Sequence, residues 1–241
     1  MFEAIKNKFQ FRDRIAAANI LAAALIDSIT KEELRNNAVS VLGIPRGGIV
    51  IADVIARKLK ASHFGLVMPR KLTIPNNEEG AFGAIMSDGT IYINYRTVRD
   101  LDIPQDYIEK EKSRQLQEIE RRYSLYAQKK PQESYVNNVR GQRATTTTII
   151  LVDDGAATGA TMIAAARSVR KAIAPNSKLI IALPIAPRET VKNLLMNEAD
   201  YIEVVTKPSF FSSVGQYYEN FEAVNDEKVI EIMKKDRHTH A

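Results

Sequence analysis

The sequence predicts an α/β domain: a mostly parallel core sheet flanked by helices. Two observations carry this. From residue 147 onward, short apolar β-branched runs alternate with stretches of helical periodicity, the pattern of strands joined by helical crossovers. Earlier, VSVLGI (Val39–Ile44) runs straight into Pro45, Gly47 and Gly48, as a buried strand ending in a turn would.

Each element follows from its residues. Between Arg12 and Ile29 the apolar side chains of Ile15, Ala18, Leu21, Ala22, Leu25 and Ile29 recur at helical spacing, which predicts an opening helix. Ile49–Leu59 reads as a helix and Phe64–Met68 as a strand. Pro69–Gly83 has few apolar residues and several turn formers, so it reads as a long mobile loop. Asp88-Gly89 ahead of Ile91–Asn94 suggests a short hairpin. Pro104–Gln128 is a long charged helix with Ile108, Leu116, Ile119, Tyr123 and Tyr126 on one face, and polar Pro131–Arg143 a connecting loop. Strands at Thr147–Val152, Leu179–Ile185 and Tyr201–Val205 then alternate with helices at Thr158–Ala172, Glu189–Met196 and Asp226–Lys234.

Composition narrows the class. The chain has 241 residues, enough for one large domain spanning 1–241. It is 45% hydrophobic and 26% charged, ordinary for a packed globular protein. With no Cys, disulfide frameworks and thiolate metal or redox sites are excluded. The first residues lack the apolar core of a secretory signal. No apolar run approaches the roughly 20 residues of a membrane span. The expectation is a soluble, cytoplasmic protein. The net charge of +5 suits a polyanionic ligand. Without a compact Lys/Arg run or an RNA-binding signature, it argues little for nucleic acid.

TTIILVDDGAATGATMIAAARSV is the most informative stretch. A strand runs to Val152, Asp153 and Asp154 follow, and Gly155-Ala156-Ala157-Thr158-Gly159-Ala160-Thr161 leads into a helix. Loop amides and a helix N-terminus present donors and partial positive charge to a phosphate. Small residues let the backbone approach, and Thr158 and Thr161 add hydroxyl donors. Carboxylates at a strand end suit vicinal ribose hydroxyls. A nucleotide-hydrolase P-loop would need a Lys that this loop lacks, which also disfavours a phosphoryl-transfer kinase. A dinucleotide fingerprint would place its acid well downstream. A simple acidic helix cap would explain one Asp, but not two with two Thr and two Gly.

VDDGAATGATM resembles the ribose-phosphate motif of type I phosphoribosyltransferases. FRDRIAAANILAAAL, IPRGG, RKLTIPNNEEGAFGAI and VGQYYENFEAVNDEKV extend the resemblance, to a bacterial and archaeal group of that family, over nearly the whole chain. It implies the type I phosphoribosyltransferase fold, with a C-terminal hood near 206–224 and a helical insertion near 104–128. It implies transfer of ribose 5-phosphate from phosphoribosyl diphosphate to a nucleobase-like acceptor, with release of pyrophosphate and Mg2+ as cofactor. Asp153 and Asp154 would hold the ribose hydroxyls and lie near the metal, and 155–161 the 5′-phosphate. Arg46, Gly47 and Gly48 would grip pyrophosphate, the glycines through unusual backbone torsions. Arg70 and Lys71 would open a closing catalytic loop and meet the leaving pyrophosphate, and Glu78, Glu79 and Gly80 would form a hinge or a carboxylate contact. Val214-Gly215-Gln216-Tyr217 resembles the hood of 6-oxopurine enzymes, which leans the reading to purine salvage, with Lys207, Phe210 and Phe211 at the base. A homodimer is expected. The alternative is a non-catalytic regulatory protein that binds phosphoribosyl diphosphate or nucleotides in the same pocket.

Overall fold

The structure is a computed structural model that describes residues 10–28, 38–127 and 147–234. The expected loop Pro131–Arg143 and the helix-end residues Ile29 and Gln128 lie outside these. In chain order the elements are α1 (Arg14–Ser28), β1 (Ala38–Gly43), α2 (Gly47–Lys58), β2 (His63–Leu66), β3 (Arg70–Ile74), β4 (Asn77–Ile85), β5 (Ile91–Ile93), α3 (Tyr95–Asp100), α4 (Gln105–Ala127), β6 (Thr147–Val152), α5 (Ala160–Ala172), β7 (Lys178–Ile185), α6 (Arg188–Asn197), β8 (Tyr201–Thr206), a 3-10 turn (Val214–Tyr217) and α7 (Asp226–Lys234). Among the described residues no helix is long and apolar enough to cross a membrane.

Five strands form a parallel sheet in the order β2-β1-β6-β7-β8. Their side chains alternate between two cores, as the two-residue period of a strand requires. Val41, Ile150, Val152 and Ile180 pack with Leu21 and Leu25 of α1 and Ile51 and Ile55 of α2. Leu42, Ile149, Leu151 and Ile181 pack with Met162, Ala165 and Val169 of α5 and Leu194 of α6. Both faces are therefore buried, and the strands read as continuous apolar runs rather than alternating ones.

The chain leaves β1 towards β2 on one side and continues from β6 to β7 and β8 on the other. The carboxyl ends of β1 and β6, paired from Ala38↔Thr147 to Gly43↔Val152, thus flank a topological switch point, where open α/β sheets bind ligands.

The expectation of a loop over Pro69–Gly83 is overturned. The segment forms β3 and most of β4, an antiparallel pair extended by β5 into a three-stranded sheet. Asn76, with φ of 59°, makes the turn. Leu72 and Phe82 are fully buried with Ile85, against Ile108 and Ile119 of α4. These few apolar residues suffice because α4 brings the matching stripe from more than 20 positions downstream. The shorter hairpin turn is as expected: Gly89 has φ of 79° and its N–H donates to the Met86 carbonyl.

Candidate active site

At the switch point lies a cavity of about 520 Å3. One wall is the loop between β6 and α5, residues 153–161. The others are Ile44 to Gly47 after β1, Pro69 to Lys71 with Thr73 at the start of the hairpin, Gly80 and Ala81, and Val214. The cavity thus gathers Arg46, Gly47, Arg70, Lys71, Asp153, Asp154 and the run Gly155 to Thr161. Gly48, Lys207, Phe210 and Phe211 are not in its wall. The Phe210 ring is 85% exposed, Phe211 stacks on Tyr217, and the Lys207 carbonyl accepts from Arg188.

The loop is held from outside. The Ala156 N–H donates to the Ile185 carbonyl at the end of β7, 3.0 Å away, and the buried Thr190 hydroxyl of α6 donates to the Ala157 carbonyl. Gly159 caps α5 with φ of 78°, a left-handed conformation that side-chain-bearing residues rarely adopt. Among the described residues no protein acceptor faces the amides of Ala157, Thr158, Gly159 and Thr161. These donors and the start of the α5 dipole form an anion cradle.

Asp153 and Asp154 follow directly from the end of β6, and the two are unlike. The Asp153 Oδ1 accepts the Asp154 N–H at 2.8 Å. Burial, and then the charge of Asp154, push the Asp153 carboxyl well above the usual range, while the positive charge of Lys71 works the other way. Burial raises Asp154 too, opposed by Arg14. The Arg14 Nε donates to Asp154 Oδ2 at 2.8 Å, with both side chains largely buried. Arg14 also donates to the Glu222 carbonyl at 2.8 Å, and its guanidinium lies 3.8 Å from the centre of the Phe221 ring, a cation–π stack. The Tyr218 hydroxyl donates to the Asp154 carbonyl at 2.7 Å.

The start of the described chain and the C-terminal segment therefore build one lid-like wall. Phe11 pairs with Tyr218 in a parallel bridge, and Phe11, Tyr217, Tyr218, Val214 and Phe221 share one cluster. Of the hood aromatics, Phe211, Tyr217, Tyr218 and Phe221 pack in this core and Phe210 does not; of the cluster, only Val214 lines the cavity.

The glycines of PRGG have a different reason from unusual torsions, since neither Gly47 nor Gly48 has positive φ. A Cβ on Gly47 would collide with the Asp154 carboxylate, and one on Gly48 would lie 2.7 Å from the Asp153 Cα. The turn is glycine-rich because α2 starts against the acidic pair. Arg46 precedes α2, with Nη1 3.6 Å from Asp226.

At the opposite wall, Lys71 is exposed and Arg70 half-buried. The Arg70 Nε donates to Gln115 Oε1 at 2.9 Å. Burial, then the charge of Arg122, lower its pKa, with Arg114 and Arg46 adding to the effect. Gln115 is held by the buried Glu111, which also accepts from the Thr73 N–H and hydroxyl and from Arg114. Sequence reasoning missed Arg14, Thr190, Glu111 and Gln115, and gave Tyr218, within the hood motif, no contact with Asp154. Arg14 alone carried a signal. A cation in the first turn of a helix opposes the helix dipole, and Asp13 already caps that turn by accepting the Ala16 N–H. Arg14 is there for another partner.

Comparison with known proteins agrees with this geometry. Residues 13–221 match the family model of the phosphoribosyl transferase domain. Two Mycobacterium tuberculosis proteins that carry a phosphoribosyl transferase name, from strains CDC 1551 and H37Rv, are each 33% identical over 225 residues. The match covers 93% of this chain and 46% of each relative, so the chain spans about half their length. The crystal structure of TT1426 from Thermus thermophilus superposes with a TM-score of 0.69 at 34% identity, covering 93% of this chain and 97% of that one. The chain belongs to the phosphoribosyltransferase family.

Proposed function

We propose that the chain transfers the 5-phosphoribosyl group of phosphoribosyl diphosphate to a nitrogen of a nucleobase-like acceptor and releases pyrophosphate. The supporting observation is one cavity with an anion cradle and an acidic pair on one wall and Arg46, Arg70 and Lys71 on the others. The free amides of the loop take the 5′-phosphate. The Asp153 carboxylate accepts from a ribose hydroxyl, while Asp154, bound by Arg14, fixes the strand end. As the bond from C1 to the diphosphate oxygen breaks, negative charge gathers on the leaving group, and cations already in place stabilise it most. The acceptor nitrogen forms the new bond to C1, and its proton passes to the released pyrophosphate or to water.

The donors fit Mg2+, which takes one or two carboxylates and completes its shell with substrate phosphates and water. Asp153 is the residue that would hold it, and the ion would supply charge neutralisation at the diphosphate. Among the described residues no cluster of three or more acidic, His or Cys side chains forms a cage. The finer reading is purine salvage, resting on the likeness of Val214–Tyr217 to 6-oxopurine enzymes.

The test is a screen of purine and pyrimidine bases with phosphoribosyl diphosphate and Mg2+, read as pyrophosphate release beside thermal melting. Release with a purine is the expected outcome. A rise in melting temperature with phosphoribosyl diphosphate, but release with no base, would replace this reading with the non-catalytic one.

A further inference from the structure

Next to the diphosphate end of the cavity lies a second groove of about 370 Å3, lined by Arg70, Arg114, Gln115, Gln117, Glu118 and Arg121. Arg70 is the only described residue that lines both. No apolar or aromatic side chain lines the groove, so it offers no hydrophobic slot for a base. Its wall is guanidinium and amide groups, which donate in the forked geometry that phosphate oxygens accept, with the one carboxylate, Glu118, engaged by Arg121 and Arg122.

Five of the six lining side chains are hydrogen-bonded to neighbours. Glu111 holds Arg114 and Gln115, and Gln115 holds Arg70. Glu118 accepts from Arg121 at 2.7 Å and Arg122 at 2.6 Å. A solvated helix face with ordinary i,i+3 and i,i+4 pairs would account for Arg114, Arg121 and Arg122. It does not account for Arg70, which is half-buried with no carboxylate at ion-pair distance among the described residues. Arg70, Arg114, Arg121 and Arg122 here meet Glu111 and Glu118, both already bonded, and Asp226, which also faces Arg121, is approached by Arg46 at 3.6 Å. The excess positive potential falls on Arg70.

We propose that this groove is a second anion site, which takes a phosphate group beyond the diphosphate of the main cavity, so that the protein prefers inorganic oligophosphates of three or more phosphates to pyrophosphate. The proposal rests on the functional reading above only in calling the shared end of the cavity the diphosphate end. The insertion helix α4 then has a ligand role as well as a structural one: it supplies the guanidiniums of the second site.

The test is calorimetric titration with pyrophosphate and with tripolyphosphate, without divalent ions and at fixed ionic strength. Wild type should bind tripolyphosphate at least about tenfold more tightly, as two added charge-assisted contacts would give. Arg114→Gln with Arg121→Gln should bring the ratio to within about twofold and leave pyrophosphate affinity in place. Arg96→Gln with Arg99→Gln removes the same charge from exposed positions on α3 that line neither cavity, and should keep the wild-type ratio. A wild-type ratio near one overturns the proposal and leaves the functional reading intact. Equal loss of the ratio in both double variants also overturns it, as a general charge effect. Tripolyphosphate binding without any pyrophosphate binding supports the groove and counts against the assignment of the cavity.

Discussion

The two walls of the cavity present positive potential by different means. The loop after β6 uses backbone: free amides, a helix start and small residues, anchored by Ile185 and Thr190. The hairpin wall uses side chains: Lys71, and Arg70, which is oriented by Gln115 and through it by Glu111 of α4. Backbone donors are fixed by the fold and do not titrate. Side-chain donors depend on a chain of supporters, each of which can be removed or protonated. The acidic pair repeats the contrast in miniature. Asp154 is tied to Arg14, whereas Asp153 stands buried with the Asp154 N–H as its bonded partner.

The largest expected effects fall on that pair. Asp153→Asn and Asp154→Asn should each abolish turnover but move stability in opposite directions. The folded pKa of Asp153 is raised above its unfolded value, so the folded state binds more protons, and stability is lost as pH rises through that window. Asn keeps the acceptor for the Asp154 N–H and removes the buried charge. Asp153→Asn should therefore raise the melting temperature at neutral pH and lose that advantage in acid. Asp154→Asn leaves a buried guanidinium unpaired. It should cost roughly 3 kcal/mol, or about 6–12 °C. Melting curves of the two variants decide it; shifts of the same sign would mean that Arg14 does not set the two acids apart.

This contrast also explains what could be read in the sequence. The backbone-built wall is legible because small residues are themselves the signal: the loop could be placed from Gly155, Thr158, Gly159 and Thr161 beside two Asp. Its parallel strands were legible from apolar β-branched runs. The side-chain-built wall was not. Leu72 and Phe82 look isolated until α4 covers them, and Glu111 and Gln115 support Arg70 from about 40 positions away. The partner of Arg14 lies 140 residues on. Pairings at such separations leave no local pattern. That hood rings would fill a core beneath a loop was readable, but not that Phe11 and Ile185 would be among their partners.

Lys71 probes the hairpin wall itself. It lines the cavity, and its charge is felt at Asp153. If it stabilises the leaving diphosphate, Lys71→Ala should lower kcat by about 100-fold while changing the affinity for phosphoribosyl diphosphate by less than about threefold. Arg46 precedes α2 and should show the other pattern, with Arg46→Ala raising KM. Single-turnover rates beside a binding titration separate the two. Unchanged turnover in Lys71→Ala would make the hairpin a framework and leave the chemistry to the loop.

The smallest effect tests whether the two walls differ in their response to pH. Burial works against the Glu111 charge, but the bonds from Arg114, Thr73 and Gln115 outweigh it and hold the pKa at about 2. A carboxylate depressed in this way adds stability that is full above its unfolded pKa, near 4.5, and is lost as pH falls through about 2. Glu111→Gln should cost roughly 1–2 kcal/mol at neutral pH, because an amide cannot accept from all of these donors. Its melting deficit against wild type should hold constant above about pH 5 and shrink below pH 4.5. Thr190→Val is the counterpart on the loop wall. It removes a hydroxyl that donates to the Ala157 carbonyl, costs about 1 kcal/mol, and involves no titrating group. Its deficit should therefore stay level across the same range. A Glu111→Gln deficit as flat as that of Thr190→Val would mean that the carboxylate charge does not brace the hairpin, and that α4 holds it through Ile108 and Ile119 alone.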